Sequence, residues 1–211
     1  MKKLLLLVAI IMMTISASAQ EGFGSDKRKN VVSLGVKAGV NLSTMSKYKP
    51  VDLGLKSGVG FEGGVVIAAR FGKRTPGSDP GTGILGVQLE PSYVQHNIGA
   101  DCADIKLGYF EMTILLNIYV TPNLNIEVGP NICGTLSANP DIIVKDNMNI
   151  AFGEVKGFDL KACIGVSYEI KNGLYASLRY NLGTSELAKN FPCKVSAASL
   201  TVGYKFNIFK F

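Results

Sequence analysis

Few side chains in this chain could do chemistry, and their spacing argues against most of it. His96 is the single histidine of 211 residues and the natural candidate for a general base. On the same alternating run, Ser92 faces the same way but lies four residues off, too far along an extended strand to form a nucleophile and base pair. Ile98 occupies the position where a His-x-Ser pair would need its serine. We therefore expect no catalytic residue, with His96 a loop or rim histidine. Gly58, Gly60 and Gly63 match the dinucleotide pattern G-x-G-x-x-G, but they sit inside a period-two run with no helix after it, so no phosphate would meet a helix N-terminus. Cys102, Cys133, Cys163 and Cys193 contain no C-x-x-C and follow no zinc or haem spacing. No metal and no cofactor is expected.

What must position these residues begins with an address. Lys2 and Lys3, the apolar stretch Leu4 to Met13, and Ala17-Ser18-Ala19 form a secretory signal over residues 1–19, with the mature chain starting at Gln20. No Cys follows the cut, which argues against a lipid-anchored lipoprotein. Without Lys2 and Lys3, 20 basic residues remain of 22 against 16 acidic ones, a net charge of +4 that does not suggest nucleic acid. Mean hydropathy is +0.24. Yet after residue 15 no run approaches the roughly 20 apolar residues a membrane helix requires.

Period-two alternation resolves that tension. Leu34, Val36, Ala38, Val40 and Leu42 share one face of the first run, opposite Ser33, Lys37 and Asn41. The same pattern recurs over Gly58 to Phe71, Leu85 to His96, Phe110 to Val120, where only Leu115 breaks it, Leu124 to Cys133, Leu160 to Ile170, Leu174 to Leu182 and Ala198 to Phe206. Each of these eight runs suits the roughly 9–11 residues of a tilted membrane strand. Longer connections (43–57, 97–107, 138–157, 186–194) alternate with short turns at 121–123 and at Lys171-Asn172-Gly173, as in outer-membrane barrels. The exception is 72–82, an enlarged turn at the short end. We expect an all-β fold, an eight-stranded antiparallel up-and-down transmembrane β-barrel over residues 33–211, preceded by a flexible segment at 20–32.

Alternation alone also fits a soluble sandwich, but Gly and Ser crowd the polar face and aromatics cluster near strand ends: Phe71, Tyr168, Tyr204 and Phe206 at one end, Phe110 and Phe158 at the other. The polar face therefore turns inward. It carries Glu62, Glu90, Glu111, Glu127, Asp159 and Glu169 against Lys37, Arg70, Lys161, Arg179 and Lys205. Charges so nearly balanced in a low dielectric imply an ion-pair network filling the lumen. Parity puts Cys102 and Cys193 in outward loops, and Cys133 and Cys163 inward on adjacent strands, so two disulfides are expected, Cys102 with Cys193 and Cys133 with Cys163. The 138–157 loop, with Ile142-Ile143-Val144 extending it as a protruding sheet, is the candidate binding surface.

Four segments, LEPSYVQHNIGADC, LGYFEMTILLNIYVTPNLNIEVGPNI, LRYNLGTSEL and LTVGYKF, resemble the outer-membrane β-barrel domain family of the Bacteroidetes that includes PorT-like proteins. The resemblance rests on Glu111 in an apolar strand, on Gly129-Pro130 in the next, and on the terminal Phe211, which in such proteins belongs to the signal read by the barrel-assembly machinery. It implies the outer membrane as location, outer-membrane lipid and that machinery as partners, and an accessory role in protein secretion as one function. A structural or surface-interaction barrel with partners on its outward loops, and a narrow small-solute channel, are the others.

Overall fold

The alternating runs form strands throughout the computed structural model, which describes residues 30–46, 54–71, 84–100, 104–139, 142–145, 148–151, 157–170, 172–185 and 193–210, with backbone alone at 142–145, 148–151 and 210. Residues 1–19, where a leader is expected, the segment 20–29, the connection 72–83, Cys102 and Phe211 lie outside the described residues. In chain order the strands are β1 (Val31–Met45), β2 (Lys56–Phe71), β3 (Leu85–Gly99), β4 (Ile105–Tyr119), β5 (Leu124–Asn139), β6 (Ile142–Lys145), β7 (Met148–Ala151), β8 (Asp159–Glu169), β9 (Leu174–Gly183) and β10 (Val195–Lys210). Eight of them close into an antiparallel barrel, in the order β1-β10-β9-β8-β5-β4-β3-β2. β6 and β7 pair only with each other, as a small sheet within the long outward connection.

Closure satisfies the backbone. Val31 pairs with Lys210 and Met45 with Val195, so the first and last strands seal along their whole length and leave no edge. Among the described residues no helix is long and apolar enough to cross a membrane. Among the described residues the strands are the elements that can do so.

The short turns follow their residues. Gly173 adopts a φ of 90°, which a glycine takes without strain, and its N–H donates to the Ile170 carbonyl at 2.9 Å. At 121–123, Thr121 Oγ1 accepts the N–H of Leu124 at 3.0 Å, and Asn123 Nδ2 donates to the Glu169 carbonyl at 2.6 Å, tying the turn to β8. Phe71 is in register with Leu85, so the 72–83 connection joins β2 and β3 at this same end.

The two faces invert the arrangement of a water-soluble core. Val36 and Leu178, both 57% exposed, point out, while Lys37, Glu90, Lys161 and Arg179 point in and are buried. Leu115 does break the polar pattern, and it is buried in the lumen. Two lumen glycines exist because neighbours lie over them. A Cβ on Gly165 would meet the Arg179 side chain, and one on Gly203 would meet the Tyr175 ring.

One expectation about length is corrected. Residues 97–107 do not form a loop: β3 runs on to Gly99 and β4 begins at Ile105, with Ile98 in register with Ile105. The reason is apolar burial. Val94, Ile98, Ile105, Leu107 and Tyr109 occupy the inward parity, each at most 2% exposed, and their packing extends both strands beyond the last polar inward position.

Candidate functional site: the filled lumen

The inward charges lie at three levels. At mid-height, Arg179 on β9 reaches Glu90 on β3. These strands are four places apart either way round an eight-strand ring, so the pair spans the full width of the lumen. The contact is bidentate, with Nη2 donating to Oε1 at 2.9 Å and Nη1 to Oε2, while Arg179 Nε donates to Glu127 Oε2. Lys37 Nζ joins from β1, donating to Glu90 Oε2 at 2.7 Å and to Glu62 Oε1 at 3.2 Å. Gln88 donates to the remaining side of Glu90 and is itself held by Asn117 at 3.1 Å. Arg179 crosses because Gly165 separates it from Glu127 in the register.

One level outward, Lys161 Nζ donates to Glu111 Oε1 at 2.7 Å and to His96 Nε2 at 3.0 Å, and Asn131 Nδ2 donates to Glu111 Oε2 at 2.6 Å. His96 Nδ1 lies 2.7 Å from Ser43 Oγ. His96 Nε2 also lies 3.3 Å from Glu111 Oε1, and the Nδ1–H tautomer is the one that satisfies the lysine and serine contacts together. Nε2 accepts from the lysine, so Nδ1 carries the hydrogen and donates to Ser43, whose own proton goes to Asn41 Oδ1 at 2.7 Å. The expectation of a loop or rim histidine is thus corrected: His96 is 1% exposed, because the strands continue past it. Although Ser43, His96 and Glu111 follow one another as in a hydrolase, the serine proton is directed to Asn41 and the hydroxyl is fully buried.

Towards the short turns the charges loosen. Lys205 Nζ is 3.4 Å from Glu169 Oε2, whose side chain is 26% exposed, and 4.5 Å from the centroid of the Tyr175 ring. Arg70 stacks over Tyr119 with its guanidinium carbon 3.5 Å from the ring centroid and donates to the Pro122 carbonyl at 3.0 Å. Asp159, at the other end, accepts from Ser185 and joins neither central group.

A family model matches residues 19–188, described as outer membrane protein beta-barrel domain. The chain belongs to that outer-membrane β-barrel family. It is a protein of the cell outer membrane. Among solved structures it is similar to Neisserial surface protein A (16% identity, TM-score 0.49, covering 82% of this chain and 97% of that one). It is also similar to Ail, the attachment invasion locus protein of Yersinia pestis (14%, 0.45, 85% and 99%), and to OprG from Pseudomonas aeruginosa (14%, 0.38, 88% and 99%). Comparison with curated proteins gave no match.

For an outer-membrane barrel the exposed aromatics have a place. Phe61, Tyr93, Phe110 and Phe158 lie towards the long-loop end, and Tyr168, Tyr204 and Phe206 towards the short turns, each at least 38% exposed. The Tyr204 and Phe206 rings meet edge to face at 4.6 Å between centroids.

Both expected disulfides are corrected. Cys133, Cys163 and Cys193 are free thiols. Cys133 is in register with Asp159 and Cys163 with Gly129, four positions apart on neighbouring strands, or about 13 Å at the rise of a strand, beyond what a disulfide spans. Cys193 packs into the buried apolar cluster of the lumen, and burial pushes its thiol up to about 11.

The sequence reading missed how the lumen is closed at its outward end. Met45, Ile98, Ile105, Leu107, Tyr109, Cys133, Cys193 and Val195 form one buried apolar cluster there. Tyr109 couples the two zones, its ring edge-on to His96 at 5.4 Å and 4.6 Å from Lys161 Nζ. The signal was available in the odd parity of β4, where Ile105, Leu107 and Tyr109 continue the inward set of Glu111.

Proposed function

We propose that this outer-membrane barrel is a closed, non-enzymatic scaffold whose outward loops make its functional contacts. The observation that carries this reading is the Arg179–Glu90 pair, which crosses the lumen from wall to opposite wall with Lys37, Glu62 and Glu127 joined to it. Eight strands leave an interior that side chains can fill, whereas aqueous channels belong to barrels of about 16. A surface role is favoured by β6 and β7, a separate two-stranded sheet in the outward connection with both outer edges unpaired in the barrel topology. Recording from the purified protein in planar lipid bilayers tests the closed lumen. No steady conductance is expected, and a steady large conductance overturns the reading in favour of a small-solute channel.

The resemblance of the four quoted segments to PorT-like proteins of the Bacteroidetes supports a second reading, an accessory of a protein-secretion machine. A deletion strain separates the two. Loss of secreted proteins with an intact envelope, together with copurification of secretion components, supports the accessory; an envelope defect with normal secretion supports the scaffold. In either case Phe211 is the proposed signal to the barrel-assembly machinery, and its removal lowers the amount inserted without changing the folded barrel.

A further inference from the structure

Between the mid-height ion pairs and the short turns, one patch of lumen wall gathers oxygens that nothing in the described protein satisfies. Glu127 Oε1, Asn117 Oδ1, Asn125 Oδ1 and Ser167 Oγ are all buried without a hydrogen-bond partner, on residues no more than 1% exposed. The register brings them together. Glu127 is opposite Asn117 on β4, Asn125 is opposite Ser167 on β8, and Glu127 and Asn125 are next-but-one neighbours on the inner face of β5. Opposed residues lie about 5 Å apart and next-but-one residues about 7 Å, so the four residues form one contiguous patch of the inner wall, a niche with a buried, unpartnered oxygen on each.

Charge points the same way. At mid-height three carboxylates, Glu62, Glu90 and Glu127, face two cationic groups, Lys37 and Arg179. Both oxygens of Glu90 are engaged, whereas Glu127 offers only Oε2 to Arg179. Glu62 likewise meets Lys37 through Oε1 alone, but of these two carboxylates it is Glu127 whose second oxygen is buried without a partner, beside the niche. An isolated buried charge of that kind is costly, and a buried carboxylate, two amide carbonyls and a hydroxyl are hard oxygen donors suited to an alkali or alkaline-earth ion. One carboxylate and one unmatched charge favour a single positive charge.

We propose that the niche binds a small monovalent cation, sodium being the probe, with Glu127 as its charged ligand and Asn117, Asn125 and Ser167 as neutral ones. Asn125 Nδ2, also unpartnered, then donates to water on the ion. The site stands whether or not the outward loops hold a partner.

The test is the thermal midpoint of the full mature barrel in lipid, in sodium chloride and in choline chloride at equal ionic strength, choline being too bulky for a side-chain-filled lumen. Sodium is expected to raise the midpoint saturably by roughly 3 °C or more. Asn125→Ala and Ser167→Ala, which leave every ion pair in place, are expected to lose most of that rise, and Glu127→Gln all of it. If Glu127→Gln does not fold, the other two variants decide. Equal midpoints in the two salts, a sodium response unchanged in Asn125→Ala and Ser167→Ala, or a response to calcium with sodium silent would each overturn the assignment.

Discussion

The lumen is filled by two opposite chemistries on the same strand parity. Around Arg179 the contacts are directional and charge-assisted, linking walls on opposite sides of the ring. A few residues further out, Ile98, Ile105, Leu107 and Val195 fill the same space with no polar atom beyond the backbone. The two zones must fail differently. An apolar cluster that loses a side chain keeps a dry gap whose cost follows the volume removed, whereas an ion-pair rung that loses one member leaves charges buried without partners. Closing the lumen therefore depends on a handful of charged residues at mid-height and on shape at the outward end.

The largest expected effect comes from Arg179→Met. It leaves Glu90 with Lys37 and Gln88 alone, and Glu127 with no cation among the described residues, at a cost of about 3–5 kcal/mol in unfolding measured by urea titration in lipid vesicles. The same variant removes the group that crosses the lumen, so bilayer recordings should show openings that the parent lacks. Leu107→Ala comes next, at about 2–4 kcal/mol for a fully buried leucine, and should give no conductance because the rungs beneath it are intact. If both variants conduct, the division of labour between the zones is wrong; if Arg179→Met alone conducts, it is sharpened.

The barrel was legible from the sequence because period two is a covalent property of extended chains, and each strand repeats it independently. Lys37, Glu62, Glu90, Glu111, Glu127, Lys161 and Arg179 all follow from parity alone, as does their inward direction. Their partners do not. Which carboxylate Arg179 meets depends on strand stagger and on Gly165 clearing its path, and neither is written in alternation. Stagger also defeats the cysteine pairing: adjacent strands and a shared inward face were right for Cys133 and Cys163, but a four-position offset separates them. Polar residues marked the lumen where the filling is polar, so the outward end, where the inward residues are apolar and their outward neighbours Thr44, Asn97 and Lys106 polar, read as loop.

The two smallest effects sharpen the contrast within the charged zone. Ser43→Ala removes the acceptor of the His96 Nδ1–H, yet Asn41 Oδ1 stands 3.3 Å from the same nitrogen and can take its place, so unfolding in lipid should change by about 1 kcal/mol. Lys205→Ala should cost less still, about 0–1 kcal/mol. Its partner Glu169 is a quarter exposed at the short-turn mouth and keeps water when the lysine is lost, as surface carboxylates do. Arg179 and Lys205 are both inward cations facing carboxylates, on neighbouring strands. A Lys205→Ala cost approaching that of Arg179→Met would mean that the mouth is as dry as mid-height, and that water stops at the turns rather than at the first full rung.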